Sequence, residues 1–535
     1  MSLTKTTWRS VKMTDLFLNG LKQTLDAEKP NVSITENGAV GLKSTGKALL
    51  DLNFMLSSMR NWDENKIWTE FLKAYNEDPM LAVVWLFFSR DARGGCGERR
   101  TFRVIFEHFC RENPALAIKL LHLIPEYGRW DDLIEVFSGN VPCAVREAAI
   151  LIISNQLHED AANIYENKPI SLLGKWMCSG NTSSKETRRK AEQLRFALGL
   201  TPKQYRHILS SLRRYLKVTE QTISAGEWDK VDYETVPSKA GLNYRDAFFR
   251  HDRDRYCEYL SNVKSGDAKM NADVLFPYEI VHAYMDDDCW DDEVKPFDET
   301  LELKWKNLPN TVTQDNGTLV VVDGSGSMSC HIGSGSLTAH DVARSLGIYF
   351  AERLTGVFKN SFITFSANPK FVRFNGVDSL NAKLKILIEE DECSNTNIQK
   401  TFDLILKTAV DNHLKQDDIP ANIVIISDME FDAVRHSYDW ETGVSYGVNE
   451  HLFGSIEYKW NAAGYKLPRL VFWNVNSRTG TVPVSENELG VALVSGFSPM
   501  IADMVMSGEL DPYKVLVNKL HSDRYSAVWK VVMPS

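Results

Sequence analysis

The sequence predicts a multidomain protein, an N-terminal all-α helical repeat domain followed by a C-terminal doubly wound α/β domain. Three observations predict it. The chain has 535 residues, more than the roughly 250–300 at which one hydrophobic core stops growing. From about residue 45 to 285 apolar residues recur at helical spacing with little strand alternation. From about residue 310 short β-rich runs alternate with helical patterns, the order expected of a parallel sheet covered on both faces. We place the two domains at residues 1–300 and 301–535.

In the first part TPKQYRHILSSLRRYL is the clearest helix. Thr201 is a cap, Pro202 suits the first helical position, and Tyr205, Ile208, Leu209, Leu212, Tyr215 and Leu216 form one apolar face. Similar stretches near 66–76, 101–111, 115–124, 143–157 and 186–198 are joined by short Gly, Pro or Asn breaks, as in stacked helix pairs. A run holding eight acidic residues between Asp286 and Glu299, against one lysine, reads as a solvated connector. Beyond it, 318–322, 361–365, 422–427, 470–474 and 491–494 read as strands, with HDVARSLGIYFAERL and NIQKTFDLILKTAV as helices between them.

Composition excludes several classes. The net charge of −10 does not by itself suggest a nucleic-acid binder. The eight cysteines form no C-x-x-C pair, so they read as reduced thiols of a cytoplasmic protein. The N-terminal MSLTKTTWRSVKMTDLF lacks the apolar core of a signal peptide. The longest apolar run, nine residues from Met80 to Phe88, falls short of the roughly 18 of a membrane span. No membrane partner is expected.

The strand-to-turn stretch VVVDGSGSMS, 320–329, carries the chemistry. It lacks the spelling of a nucleophile elbow or a dinucleotide fingerprint. What remains is D-x-S-x-S: Asp323, Ser325 and Ser327 at alternate positions, whose oxygens a curved loop turns toward one point. Hard oxygen donors suit Mg²⁺, Mn²⁺ or Ca²⁺. A second loop, Ser394-Asn395-Thr396-Asn397, precedes a helix, and the strand NIVIIS ends in Asp428. A Gly/Ser turn with no ligand is the competing reading of DGSGS alone.

A basic region lies in the helical part. Residues 168–217 hold twelve Lys and Arg against Glu186 and Glu192, an excess of ten positive charges in an acidic chain. Such clustering is the footprint of a polyanion-binding surface. The candidate RNA contacts are Lys175, Arg188, Arg189, Lys190, Lys203, Arg206, Arg213, Arg214 and Lys217; a solvated helix face is the alternative. The stretch SRDARGGCGERRTFR reads as a helix connection with exposed arginines. Tyr127, Trp130 and Trp176 suit base stacking, although aromatics at helix ends are more often core. GLKSTGKA, 41–48, misses a Walker A at its last position and reads as a helix-entry loop.

Asp323, Ser325, Ser327, Thr396 and Asp428 together resemble the metal-ion-dependent adhesion site of the von Willebrand factor A domain. The resemblance implies that the serines and threonine bind the cation directly and the aspartates through water. Mg²⁺ is the first choice, Mn²⁺ and Ca²⁺ the alternatives, with one position open to a partner's carboxylate or phosphate oxygen. YGRWDDL, KWMCSGNTSS and ALGLTPKQYRHILSSLRRYLKVTEQTISAGEWDKVDYETVPSKA resemble the TROVE module of the Ro ribonucleoprotein autoantigen, and more closely a TROVE-like family described as a domain of unknown function. This implies a HEAT-like ring or arc that holds single-stranded RNA ends and small non-coding RNA. The expectation is a non-enzymatic ribonucleoprotein scaffold. The alternative is a metal-dependent protein-interaction module whose site captures an acidic side chain. A nuclease ranks third, because no general base or second carboxylate cluster accompanies the site.

Overall fold

The computed structural model describes residues 31–285, 293–312, 317–366, 368–391, 398–431, 452–483, 491–506, 509 and 511–533. Among them, the chain up to Lys306 is helical apart from a hairpin of β1 (Ser33–Ile34) and β2 (Val40–Gly41), and the chain from Thr318 builds a sheet flanked by helices. The helical plus α/β organisation expected from the sequence is what the chain adopts.

Several helices begin at side-chain caps that the sequence offers. Thr201 and Gln204 form a reciprocal capping box ahead of Pro202, and the helix Pro202–Tyr215 buries Tyr205, Leu209 and Leu212 while Lys203, Arg206 and Arg214 stay exposed. Asp78 caps the helix Pro79–Arg90 by accepting the Leu81 N–H at 2.9 Å. That helix contains the apolar run noted above, and from Leu81 to Arg90 it is buried on all sides because helices from both ends of the chain pack on it: Glu64–Glu77, Arg99–Glu112, Pro512–Leu520 and Ser526–Val532. A helix apolar all round is stable only when so enclosed. None of the described helices is long and apolar enough to cross a membrane.

The sheet has six strands: β3 (Thr318–Asp323), β4 (Ser361–Phe365), β5 (Phe371–Arg373), β6 (Asn422–Ser427), β7 (Arg469–Asn474) and β8 (Val491–Ser495). Their order is β5-β4-β3-β6-β7-β8, parallel except for the antiparallel edge strand β5. Every residue of β3, β6 and β7 is buried, as helices on both faces of a parallel sheet require. After β3 the chain pairs on one side with β4 and later returns to pair β6 on the other, with Val321 opposite Ile363 and Ile425. The carboxyl ends of β3 and β6 therefore flank the topological switch point, where a crevice opens in such sheets.

The helical part starts on the α/β part and comes back to it. Near its start, the Asn474 Nδ2 donates to the Phe54 carbonyl at 2.7 Å, the Ser57 N–H donates to Ser495 Oγ at 3.0 Å, and Leu42 bridges to Val482. At its end the helix Pro277–Tyr284 lies against the helix Ala339–Arg353, with His282 Nδ1 2.9 Å from Asp341 Oδ2. A division at 300/301 passes through the helix Glu299–Lys306, whose Glu302 accepts the N–H groups of Leu380 and Asn381 at 2.8 and 2.9 Å. That buried carboxylate satisfies the first donors of the helix Leu380–Glu390.

Two sequence expectations change here. Residues 286–292 of the acidic stretch lie outside the described residues, but its end is not a solvated connector: Asp298 caps a helix and pairs with Arg245 at 3.0 Å, because the chain must turn back onto the core there. Nor are the arginines of SRDARGGCGERRTFR uniformly exposed. Arg90 is 2% exposed and pairs with the buried Asp132 at 2.7 Å, a partner that helical periodicity alone does not reveal.

Candidate functional site

The first candidate site lies at the switch point. Asp323 ends β3 and is fully buried; its Oδ1 accepts the Ser325 N–H at 2.9 Å and its Oδ2 the Ser427 hydroxyl at 2.5 Å. Those bonds fold the loop so that the Ser325 and Ser327 hydroxyls stand 2.9 Å apart. Asp428, directly after β6, is also fully buried, and its Oδ1 accepts the Glu430 N–H at 3.2 Å. Ser327 is half-buried and forms the accessible edge. Thr396 lies outside the described residues. Among the described residues Asp391 packs directly on the D-x-S-x-S loop: a Cβ at Gly324 would fall 2.0 Å from its Oδ1.

The electrostatics of this group are one-sided. Burial first, and then the Asp428 charge, push the Asp323 carboxyl well above its usual range; burial also raises Asp428, against the pull of Arg478. Arg478 is the local cation that the sequence reading missed. Its Nη2 lies 3.4 Å from Asp428 Oδ2 and also pairs with Glu36, while its Nη1 donates to the Ser327 carbonyl at 2.9 Å and to Cys330 Sγ at 2.7 Å. The Glu430 carboxylate adds a further negative charge and orders the loop by accepting the N–H groups of Glu36, Arg478 and Thr479. One guanidinium against Asp323, Asp428, Glu430 and Glu36 leaves excess negative charge beside two hydroxyls. That donor set fits a hard divalent cation. Among the described residues no cluster of three or more His, Cys, Asp or Glu has metal-binding geometry, which leaves the serine hydroxyls to complete any such site.

The second candidate site is a cavity of about 1240 Å³ inside the helical part. Lys175, Arg213, Arg214 and Lys217, all expected from the charge pattern, line it together with Arg93, Arg129, Lys230 and Lys239; the acidic lining is Glu220, Glu227 and Asp232. These side chains are not equivalent. Arg213 is spent on structure, donating to the Gly174 and Met177 carbonyls at 2.9 and 2.6 Å and to Ser179 Oγ at 2.7 Å. Lys230 and Lys239 pair with Glu227 and Glu279. Lys175, Arg214, Lys217, Arg93 and Arg129 have no carboxylate within ion-pair distance among the described residues. A second chamber of about 620 Å³ shares Ala92, Arg129 and Val274 with the first and reaches Ile332, Gly333 and Ser334, just beyond the D-x-S-x-S loop.

The other expected contacts lie elsewhere. Arg188, Arg189, Lys203 and Arg206 are exposed and do not line the cavity. Lys190 is held between Glu135 at 2.8 Å and Glu186 at 2.7 Å, so its charge is neutralised within the protein. Tyr127 is buried and donates to the Arg524 carbonyl at 2.7 Å, Trp130 packs against the core, and Trp176 faces the cavity. In GLKSTGKA the Ser44 and Thr45 hydroxyls bind Asp51, the first-turn acid of the helix Ala48–Phe54.

Comparison with known proteins gives two family matches, of which the first holds Asp323, Ser325, Ser327 and Asp428 and the second only part of the cavity lining, since Arg93, Arg129 and Lys175 precede it. Residues 317–525 match a family model described as a domain of unknown function, DUF7788, and residues 176–319 match another, DUF2828. An uncharacterised protein, L728, of Acanthamoeba polyphaga mimivirus is 28% identical over 527 residues, covering 92% of this chain and 87% of that protein.

These matches correct the resemblances drawn from short motifs. They are to domains of unknown function, not to the TROVE module of the Ro autoantigen or to the von Willebrand factor A domain. Within the motif YGRWDDL, Asp132 pairs with Arg90 and Arg103, and Tyr127 donates to the Arg524 carbonyl, so these two residues serve internal packing.

Proposed function

We propose that this chain is a non-enzymatic RNA-binding scaffold, taking single-stranded or small non-coding RNA into the basic cavity of a helical repeat arc, with a Mg²⁺ site (Mn²⁺ or Ca²⁺ as alternatives) in its α/β part. The observation that carries the reading is the set of cavity cations with no carboxylate partner among the described residues, Lys175, Arg214, Lys217, Arg93 and Arg129. Such charges gather phosphates and release counterions, which makes binding strong at low salt and weak at high salt. Trp176 at the wall offers a surface on which a base can stack.

At the switch point Ser325, Ser327, Asp323 and Asp428 would hold the cation, with Thr396 as the remaining candidate ligand. The cation would supply an electrophilic position for one external oxygen. Because Ser327 leaves that site accessible, capture of an acidic side chain from a protein partner is the second reading.

Binding of a fluorescein-labelled twelve-nucleotide oligouridylate, followed by anisotropy, tests the first reading. Arg214→Glu with Lys217→Glu is expected to weaken binding at least tenfold, and Arg188→Glu with Arg189→Glu much less; equal affinity of the cavity variant and the wild type would refute the assignment. Asp323→Ala is expected to abolish Mg²⁺ binding in calorimetry and leave oligouridylate affinity within about twofold, since different side chains contact each ligand. Loss of RNA binding in a folded Asp323→Ala protein would mean the two sites are one.

A further inference from the structure

Arg129 stands at the neck between the two chambers and lines both. Its neighbours explain why its charge is unspent. Asp132 directs Oδ2 to Arg90 at 2.7 Å and Oδ1 to Arg103 at 2.7 Å, and Asp131 Oδ2 takes Arg103 at 2.9 Å. That leaves Arg99, 44% exposed, with a loose contact of 3.8 Å to Asp131, and Arg129 with no carboxylate within ion-pair distance among the described residues. What Arg129 does have is an indole: its guanidinium lies 4.8 Å from the Trp176 ring centroid. Stacking on an aromatic face holds a guanidinium in place and leaves its N–H groups available in the ring plane.

A half-buried guanidinium pressed by like charges is costly to keep without an anion. Burial, and then the charges of Arg99 and Arg90, pull Arg129 below the usual arginine range, and the nearby Asp131 and Asp132 restore only part of it. Native proteins pair buried charges, and an arginine fork is matched to phosphate by two parallel hydrogen bonds.

We infer that Arg129, stacked on Trp176 and assisted by Arg99, is a phosphate-binding position at the neck of the cavity, holding one phosphodiester of the bound strand. This rests on the RNA reading above and adds to it a specific anchor that joins the basic chamber to the chamber reaching Gly333 and Ser334 of the α/β part. Arg214, exposed on the helix Pro202–Tyr215, and Lys217, exposed just beyond its end, supply charge over a wide area. Arg129 is fixed against an indole and supplies a located contact.

The test measures oligouridylate affinity by anisotropy over a series of NaCl concentrations. Removing one phosphate contact lowers the slope of log affinity against log salt by roughly 0.7 for a single strand. Arg129→Gln is expected to weaken binding about tenfold with that loss of slope. Arg129→Lys is expected to retain the slope and part of the affinity, because the charge remains while the planar fork is lost. Unchanged affinity and slope in Arg129→Gln would show that Arg129 merely packs on Trp176, and the inference would fall while the RNA reading stood. If Arg129→Gln does not fold, the more exposed Arg99→Gln decides: a reduced slope supports the position and an unchanged one overturns it. A wild-type chain that binds no oligouridylate overturns the RNA reading, and this inference with it.

Discussion

Lys304 is 3% exposed, and its Nζ reaches the Asn271 carbonyl at 3.4 Å, a marginal hydrogen bond. Burial pulls it down to about 8 from 10.5. Below about 8 both folded and unfolded chains carry the proton, and the cost of burying the charge is felt in full. Between about 8 and 10.5 the folded chain releases the proton first, so this residue's contribution to stability rises with pH. Lys304→Met therefore stabilises the protein at pH 7 by ~2 kcal/mol, and the advantage shrinks above pH 8. Urea unfolding of both proteins at pH 7 and pH 9.5 checks the sign. A variant less stable at pH 7 would mean the ammonium is satisfied. Asp323 and Asp428 pose the same problem with the opposite charge, and there the hydroxyls around them suggest what offsets it. The sequence made Asp323, Ser325 and Ser327 legible because three donors stood in one loop. Arg478 and Arg129 were not legible, because their partners, Asp428 and Trp176, lie far along the chain and leave no local pattern.

At the scale of elements, the strand ends bring the candidate ligands together, and β3 is positioned by the helix Ala339–Arg353. Gly347 makes that packing close: a Cβ there would sit 2.4 Å from Val322 Cγ2, and valine is too stiff to move aside easily. Gly347→Ala improves helix propensity by about 1 kcal/mol, but overpacking a buried contact costs about 1–3 kcal/mol. The clash wins, and the urea midpoint is expected to fall; a midpoint at or above wild type would mean the helix can back away from β3. Five of the six sheet strands were readable, because β-branched runs of five or six residues between helical patterns admit few other interpretations. The edge strand β5, with three residues and two of them exposed, carries too little pattern to be read. Asp298 was misjudged for a related reason: acidic density describes a segment's average, whereas its role depends on the helix terminus that it caps.

At the scale of the molecule, the helices leave the α/β part and return to it, and the seam at the C-terminal segment is polar and tight. Arg524 spans Asp91 at 2.8 Å and Glu126 at 2.8 Å, while Tyr127 and Tyr525 stack at 5.7 Å. This closure braces the loop next to Ala92 in the cavity wall, and separately Asn61 accepts the Gly333 N–H at 2.6 Å and so holds the loop at 332–334 at the edge of the second chamber. The charge asymmetry visible in the sequence thus has a location: part of the excess is inside, on the cavity wall, and part is on the outer helices. Ultraviolet crosslinking of the full chain to oligouridylate, with the attached peptides identified by mass spectrometry, tests the central claim most directly. Attachment at residues 172–178 and 210–222 is the predicted result; attachment confined to the outer face around Arg188 and Arg189, or to the α/β part, would contradict it.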